Sequence, residues 1–194
     1  MPIKLISGAG GSLTVTPAST ASNYTLTVPA VTANVVTTGD SNTITQTMIN
    51  QSSFFAGYGP AFYAYNSSAT SLINGAGTKI AFQTKLFDTA NCFDNTTNYR
   101  FQPNVAGYYQ LSGSVRVDTS CAYIGCYIWK NGSNYSGGNF TNLTTTNAQS
   151  VISSLMYLNG TTDYAELAAF ITTTSNTTTG QLGTYFTGFL ARAT

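Results

Sequence analysis

The side chains able to perform acid–base or nucleophilic chemistry are few in this 194-residue sequence. It has no histidine, six acidic residues and three cysteines, so neither a Ser-His-Asp nor a Cys-His arrangement can form. Glycosidase-type hydrolysis needs two carboxylates within about 5–10 Å of each other. Asp163 and Glu166 are three residues apart and would face opposite sides of a strand, and Asp88 and Asp94 are expected to flank a loop. We therefore expect no catalytic residues and no enzyme activity.

The cysteine and glycine patterns give no ligand site. The three cysteines, Cys92, Cys121 and Cys126, contain no CxxC pair, and no histidine could complete a metal site. Cys121 and Cys126 would face opposite sides of a regular strand, and we expect buried, unpaired thiols in a reducing cytosol. Gly8-Ala9-Gly10-Gly11 is followed by no Lys-Ser/Thr, so a tether is expected in place of a phosphate-binding loop. No metal and no cofactor are expected.

The composition limits the partners that the chain can have. Only 7% of its residues are charged and the net charge is +1, whereas an average soluble domain has about 25% charged residues. The cations are scattered, so binding to nucleic acid is not expected. The sequence has neither an apolar run long enough for membrane insertion nor an apolar signal-peptide core at its start. Synthesis in a cytoplasm, without secretion, is expected.

Four aromatic residues near predicted turns have two possible roles. They are Tyr123, Tyr127, Trp129 and Tyr135. Aromatic faces surrounded by Asn and Thr hydrogen-bonding groups suit a glycan, such as one on a host surface. Equally, large aromatic side chains often fill a core or a subunit interface. Both interpretations stay open at this point.

The alternation of apolar and polar residues predicts an all-β chain in two parts. In residues 1–55 the apolar side chains alternate with threonine, at Leu13 and Val15 and again at Tyr24, Leu26 and Val28. Such short strands cannot build a core alone. This β-rich region is therefore expected to be a stem that docks on another surface, with those five residues as the attachment contacts.

Residues 56–194 are expected to form a β-sandwich head of the jelly-roll type. Turn signals at Asn131-Gly132, Gly137-Gly138 and Asn159-Gly160 separate several of its strands. About eight strands at this spacing are typical of a sandwich or jelly roll. The predicted strands are Ala61–Asn66, Thr78–Phe82, Asn98–Phe101, Gly107–Val117, Ala122–Lys130, Ser150–Leu158, Tyr164–Ile171 and Thr184–Ala191.

Two of these strands differ in how apolar their faces are. In Gly107–Val117, one face carries Tyr109, Leu111, Val115 and Val117 and the other face is mostly polar, which is the pattern of a strand with one side in the core. In Ser150–Leu158 both faces are apolar: Ile152, Met156 and Leu158 oppose Val151, Leu155 and Tyr157. A second buried surface is therefore expected, and an oligomer interface would supply it.

Phe82 is followed after five residues by Asp88 and after four more by Phe93; Phe101 is followed after five by Gly107, with Tyr109 two positions later. With these spacings the head resembles the complement C1q and tumour necrosis factor-like jelly-roll family. The segment from Thr184 to Leu190 is similar to the family's closing strand, and Ala61 to Tyr65 to its opening strand. Residues expected to form this signature core are Phe82, Asp88, Phe93, Phe101, Gly107, Tyr109, Leu111, Phe186, Gly188 and Phe189.

The resemblance implies a trimer whose function is binding and display. Family members often hold calcium near the trimer apex, but no acidic cluster here can be matched to such a site. The Thr-rich segments Gly11–Ala18 and Tyr24–Ala30 resemble the short modules that precede such heads in bacteriophage virion proteins. We therefore expect a homotrimeric capsid decoration, head fibre or short tail fibre protein at the virion surface, made in the host bacterial cytoplasm. It would dock on the major capsid protein or a tail protein. The alternative is a free carbohydrate-binding, lectin-like module.

Overall fold

The part of the chain that the structure describes folds into β-strands joined by turns and loops. The computed structural model describes residues Ile3–Ile6, Ser12–Val15, 59–143 and 146–194. Within these residues there is no helix, and so none that could cross a membrane. The strands are β1 Ile3–Ile6, β2 Ser12–Val15, β3 Ala61–Tyr65, β4 Ser71–Leu72, β5 Gly77–Lys79, β6 Thr84–Asp88, β7 Phe93–Asp94, β8 Arg100–Phe101, β9 Gly107–Val117, β10 Cys121–Lys130, β11 Ser133–Leu143, β12 Ala148–Leu158, β13 Ala165–Ile171, β14 Ser175–Asn176 and β15 Tyr185–Ala193.

Two antiparallel sheets pack face to face to form a jelly-roll sandwich. A five-stranded sheet has the order β12-β9-β15-β3-β6. A six-stranded sheet has the order β11-β10-β13-β8-β7, with β5 also paired to β13. A small sheet of β4 and β14 lies apart from these two. The predicted all-β jelly roll is confirmed.

The aromatic residues of the two sheets meet in one core. The Phe62 ring on β3 stacks on Phe101 on β8, with ring centroids 4.4 Å apart, and on Phe93 on β7, at 5.0 Å. Phe186 on β15 meets the same ring edge-on at 5.1 Å. Since these rings come from both sheets and are almost fully buried, their contacts hold the sandwich together.

Each predicted strand overlaps an observed one, but five observed strands of the head were missed: the two-residue strands β4, β7 and β14 and the longer strands β6 and β11. β11 was missed because Gly137-Gly138 was taken as a turn, and that prediction is wrong: both glycines lie inside the strand. A Cβ on Gly138 would collide with the backbone carbonyl oxygen of Val151. Glycine in a strand often marks such a close backbone approach.

The two strands with distinct face patterns behave largely as expected. In β9, Tyr109, Leu111, Val115 and Val117 are fully buried. Ser114, predicted on the polar outer face, is also buried, because the 180–183 loop covers it and its hydroxyl donates to the Gly183 carbonyl at 2.8 Å. In β12 the core side is buried while Val151, Leu155 and Tyr157 are about half exposed on the outer side. The apolar character of both β12 faces is confirmed.

All three cysteines are buried and unpaired. Cys121 and Cys126 both lie in the core, so the prediction of opposite faces is wrong. The pairing of β10 with β11 shifts register between Cys121 and Ile124, and such a bulge breaks strict alternation. Burial raises the pKa of each thiol, that of Cys126 to about 11, which keeps the thiols protonated and unreactive.

The N-terminal region contains a short hairpin. β1 pairs antiparallel with β2, with Ile3 opposite Val15 and Leu5 opposite Leu13, so Leu13 and Val15 do lie in a strand. Tyr24, Leu26 and Val28 lie outside the described residues. The chain separates into two compact units, Met1–Ile44 and Thr45–Thr194, while the predicted boundary between residues 55 and 56 also lies outside the described residues and stays a prediction.

Candidate binding surfaces

Asp88 organises the turn that follows β6. One carboxylate oxygen accepts the Cys92 N–H at 2.9 Å, and the other accepts the Phe93 N–H at 2.9 Å and the Lys85 ammonium at 3.0 Å. Burial alone would raise the pKa of this carboxyl, but the two N–H groups and the ammonium group lower it below its ordinary value. Both carboxylate oxygens are therefore occupied by hydrogen bonds that hold β7 in place.

Most of the predicted signature residues lie in the core. Six are buried side chains, namely Phe82, Phe93, Phe101, Tyr109, Leu111 and Phe186. Gly107 and Gly188 are buried as well, and a Cβ on Gly107 would collide with the Arg192 carbonyl oxygen. Phe189 is the exception: it is 53% exposed on the outer side of the five-stranded sheet. Its assignment to the core is wrong, because Gly188 takes the inward position of β15.

Asp163 and Glu166 are each held in an ion pair with a lysine. Asp163 lies before β13, where its oxygens accept Lys130 at 2.9 Å and Asn131 at 2.8 Å; these bonds lower its pKa. Glu166 on β13 pairs with Lys79 at 2.9 Å. No group of three His, Cys, Asp or Glu side chains suited to a metal ion occurs within the described residues. The acids thus have structural partners.

Asp94 closes a loop in a similar way. Its carboxylate accepts the backbone N–H groups of Thr96, Thr97 and Asn98 at 3.0 Å each. The N–H groups of Thr97 and Thr96 hold the pKa of Asp94 well below its usual range. The carboxylate lines an open cleft of about 490 Å³ together with Lys85, whose ammonium is already engaged by Asp88. This cleft therefore offers no free charged pair.

The outer side of the five-stranded sheet carries five large apolar side chains around a polar centre, in which Gln110 and Ser112 hydrogen-bond the Ser153 hydroxyl. We call it the five-strand face and define it by Tyr108, Val151, Leu155, Tyr157 and Phe189, each about half exposed. Tyr157 lies opposite Tyr108 in the register, with ring centroids 5.5 Å apart. Leu155 on β12 and Phe189 on β15 lie on either side of Gln110 on β9. A patch of this kind is typical of a protein–protein interface.

The outer side of the six-stranded sheet carries aromatic rings beside glycines. We call it the six-strand face and define it by Tyr127 and Trp129 on β10, Phe140 on β11 and Phe170 on β13. Phe140 pairs with Gly125 across the sheet, and its ring lies over that glycine, 2.7 Å from where a Cβ would be. The Tyr127 and Phe140 rings meet edge to face at 5.9 Å.

The four predicted glycan or interface aromatics are divided between two places. Tyr127 and Trp129 share the six-strand face, and Tyr123, which is about half exposed, lies where the pairing of β10 with β11 shifts register. Tyr135 instead points toward β12, where its hydroxyl donates to the Leu155 carbonyl at 3.4 Å. Phe140 was missed because it lies in β11, which was not predicted. Its position relative to the glycines of that segment does not by itself indicate a binding residue.

The comparisons with known proteins concern the fold. No protein-family model and no curated protein matches the sequence. Murine APRIL at pH 5.0 is similar in structure, with a TM-score of 0.55 and 10% identity over 68% of this chain and 98% of that one. The globular domain of zebrafish complement 1qA protein gives 0.53 and 16% over 70% and 99%. Eiger TNF from S. frugiperda gives 0.52 and 8% over 70% and 92%. The head thus has the jelly-roll fold of the complement C1q and tumour necrosis factor proteins.

Proposed function

We propose that this chain is a homotrimeric structural protein on the surface of a bacteriophage particle, acting by binding and display. The observation that carries the proposal is the five-strand face. β12 buries Ile152 and Met156 in its own core and still presents Val151, Leu155 and Tyr157 outward. A single sandwich cannot cover both sides of such a strand, whereas neighbouring copies around a threefold axis can.

The free energy available from this face favours association. Full burial of one side chain of the size of Val, Leu or Phe stabilises by about 1.5–3 kcal/mol. The five residues of the five-strand face are each about half exposed, so each still has part of this energy to contribute. None of these five side chains is charged, so their own burial removes no ionic group from water. Two cations border the face: Arg192 lies opposite Tyr108 in the register, and the Lys130 ammonium lies 5.6 Å from the centroid of the Tyr157 ring.

A matched pair of leucine variants tests the assembly. Leu155 is 52% exposed on the five-strand face, and Leu182 is 86% exposed in a loop. Light scattering on the purified chain should give three times the monomer mass. Leu155→Glu should shift this mass to the monomer, because it places a charge within the interface, while Leu182→Glu should leave the trimer intact. A wild-type monomer, or a trimer unaffected by Leu155→Glu, contradicts the proposed interface.

The N-terminal region supports attachment to a particle. The β1–β2 hairpin pairs only four residues per strand, and an isolated two-stranded hairpin is marginal in water. Docking on the major capsid protein or a tail protein would give it a surface to pack against. Gold-labelled antibody against the head tests this location on purified particles: label over the shell supports a capsid decoration or head fibre, label at the tail supports a short tail fibre, and unlabelled particles contradict the virion role.

The second candidate function is a free carbohydrate-binding, lectin-like module. The specific observation in its favour is the clustering of Tyr127, Trp129 and Phe140 on one outer surface. This candidate shares the head with the first and differs in having no particle partner. Unlabelled particles together with glycan binding by the purified chain would favour it.

A further inference from the structure

We propose that the six-strand face is a binding surface for uncharged carbohydrate, with Phe140, Tyr127 and Trp129 as the stacking residues. The inference rests on the proposed function in one respect: assembly through the five-strand face leaves the opposite sheet open to the surroundings. It goes further by assigning the displayed surface and the chemical class of its ligand.

The first argument is the close contact of two aromatic rings with the backbone at glycine residues. Three ring atoms of Phe140 lie 2.7–3.1 Å from the position that a Cβ of Gly125 would take. A ring atom of Trp129 lies 3.2 Å from the corresponding position at Gly77. Because neither glycine has a side chain, the two rings can approach the sheet backbone closely at these positions. Phe140 remains 52% exposed in this position, so it offers apolar surface for the C–H face of a sugar ring.

The second argument is charge. The ionic pair on the outer side of these strands is Lys79 with Glu166, and their charged atoms are 2.9 Å apart. Lys130, at the end of β10, is likewise paired with Asp163, and on the neighbouring strands Arg100 lies opposite Asp94 in the register. The rings therefore lie in a surface whose charges cancel locally, which suits a neutral glycan and gives no attraction for a polyanion such as nucleic acid.

The third argument is the polar group next to the rings. Asn134 on β11 is exposed and lies opposite Trp129 in the register, on the same side of the sheet. Its amide has both donor and acceptor atoms, which match sugar hydroxyl groups. An apolar platform with a few such polar groups is the usual composition of a small-ligand site.

The experiment uses the only tryptophan of the chain, Trp129, as its reporter. The full-length protein is applied to an array of neutral and acidic bacterial and plant oligosaccharides, and each bound neutral glycan is then titrated while tryptophan emission is followed. We expect at least one neutral glycan to bind and to change the emission. Phe140→Ala should weaken the affinity at least tenfold, and Gly125→Ala should also weaken it because the added methyl group displaces the Phe140 ring.

The control is Phe87→Ala, which removes a phenylalanine of similar exposure, 48%, from an edge strand of the other sheet. It should bind the glycan as the wild type does. Absence of binding to every neutral glycan, binding to acidic glycans alone, or unchanged affinity in Phe140→Ala would overturn the inference. So would a change of Trp129 emission with protein concentration alone, since this would identify the face as a contact between copies.

Light scattering on the same samples separates this inference from the proposed assembly. If the protein is a trimer but binds no neutral glycan, only the proposal of a carbohydrate surface on the six-strand face is rejected. A monomer that binds a neutral glycan, and loses it in Phe140→Ala, rejects the trimer and retains the carbohydrate surface.

Discussion

Asp88 has a role that only a carboxylate can fill at its position. It accepts two backbone N–H groups and the Lys85 ammonium, so both of its oxygens are used. An amide in its place would have one acceptor oxygen and would turn an NH₂ group toward the remaining donors. The residue that the sequence motif marks is therefore a hydrogen-bond acceptor for the turn between β6 and β7.

At this scale, Asp88→Asn should destabilise the fold in a pH-dependent way. At pH 7 we expect a loss of about 1–3 kcal/mol, the cost of leaving a buried partner unsatisfied. The folded pKa of Asp88 is lowered relative to an unfolded value near 3.9. The carboxylate therefore stabilises the fold above about pH 4, and this contribution is lost as the pH falls through the folded pKa. In urea unfolding, the difference in unfolding free energy between Asp88→Asn and wild type should be smaller at pH 3 than at pH 7.

Asp118→Asn is the control for that experiment. The Asp118 side chain is 70% exposed and 3.9 Å from Arg116, and changes at such surface positions usually stay within about 0.5 kcal/mol. An Asp88→Asn deficit of equal size at both pH values would contradict the role assigned to the carboxylate.

At the scale of elements, side chains close the edge of the sandwich between β11 and β12. The Asn139 amide oxygen accepts the Val151 N–H at 2.7 Å, and the Thr141 hydroxyl donates to the Gln149 carbonyl at 2.9 Å. The Lys130 ammonium donates to the Tyr157 carbonyl at 2.8 Å. β12 would otherwise present unpaired backbone groups for pairing with another chain.

Asn139→Ala should open this edge. The Val151 N–H would lose its acceptor at an exposed edge, so we expect a loss of about 0.5–1.5 kcal/mol in unfolding free energy, the net contribution of a typical hydrogen bond, and faster amide hydrogen exchange at Val151. Asn142→Ala, at an exposed position of the same strand, serves as the control and should change neither quantity. Unchanged exchange at Val151 in Asn139→Ala would show that the edge does not depend on this bond.

The aromatic core is the second feature of this scale, because it joins the two sheets. Phe62 on β3 contacts rings from β7, β8 and β15. Phe62→Ala should therefore cost about 3–5 kcal/mol, the range for removing a buried phenylalanine, as measured by chemical denaturation. Phe87→Ala, which removes an exposed ring, should cost far less. Similar losses for the two variants would contradict the central place of Phe62.

At the scale of the whole molecule, the two sheets have different outer surfaces. The five-strand face is apolar and half exposed, which is the basis for the proposed trimer. The six-strand face has rings over glycine and a paired charge, which is the basis for the proposed glycan surface. Assembly and recognition would then be assigned to opposite sides of one sandwich.

Removal of residues 1–55 is the prediction at this scale. Within the part of the chain that the structure describes, the aromatic core is formed by residues of the head, so the shortened chain should stay folded and self-associated, as checked by circular dichroism and light scattering. It should no longer join particles when it replaces the full chain during infection. Incorporation of the shortened chain at the wild-type level would contradict the attachment role of the N-terminal region.

The sequence by itself determined the fold class and the inward faces of β9 and β12. Period-two alternation predicts a strand whenever one side is buried, and Tyr109, Leu111 and Val115 follow it strictly. The spacing from Phe82 to Gly107 added the jelly-roll type. The apolar character of both faces of β12 also followed from alternation alone, and with it the expectation of a second buried surface.

Only the tertiary structure decided which residues share an outer surface. Phe140 and Gly125 are brought together by cross-strand pairing, and Gly138 is glycine because β12 passes close to it. The register shift after Cys121 places that thiol in the core. Gly188 takes the inward position of β15, so Phe189 is exposed on the outer side of the sheet. These placements depend on contacts between strands that are distant in sequence and on bulges that interrupt alternation, and a local pattern contains neither.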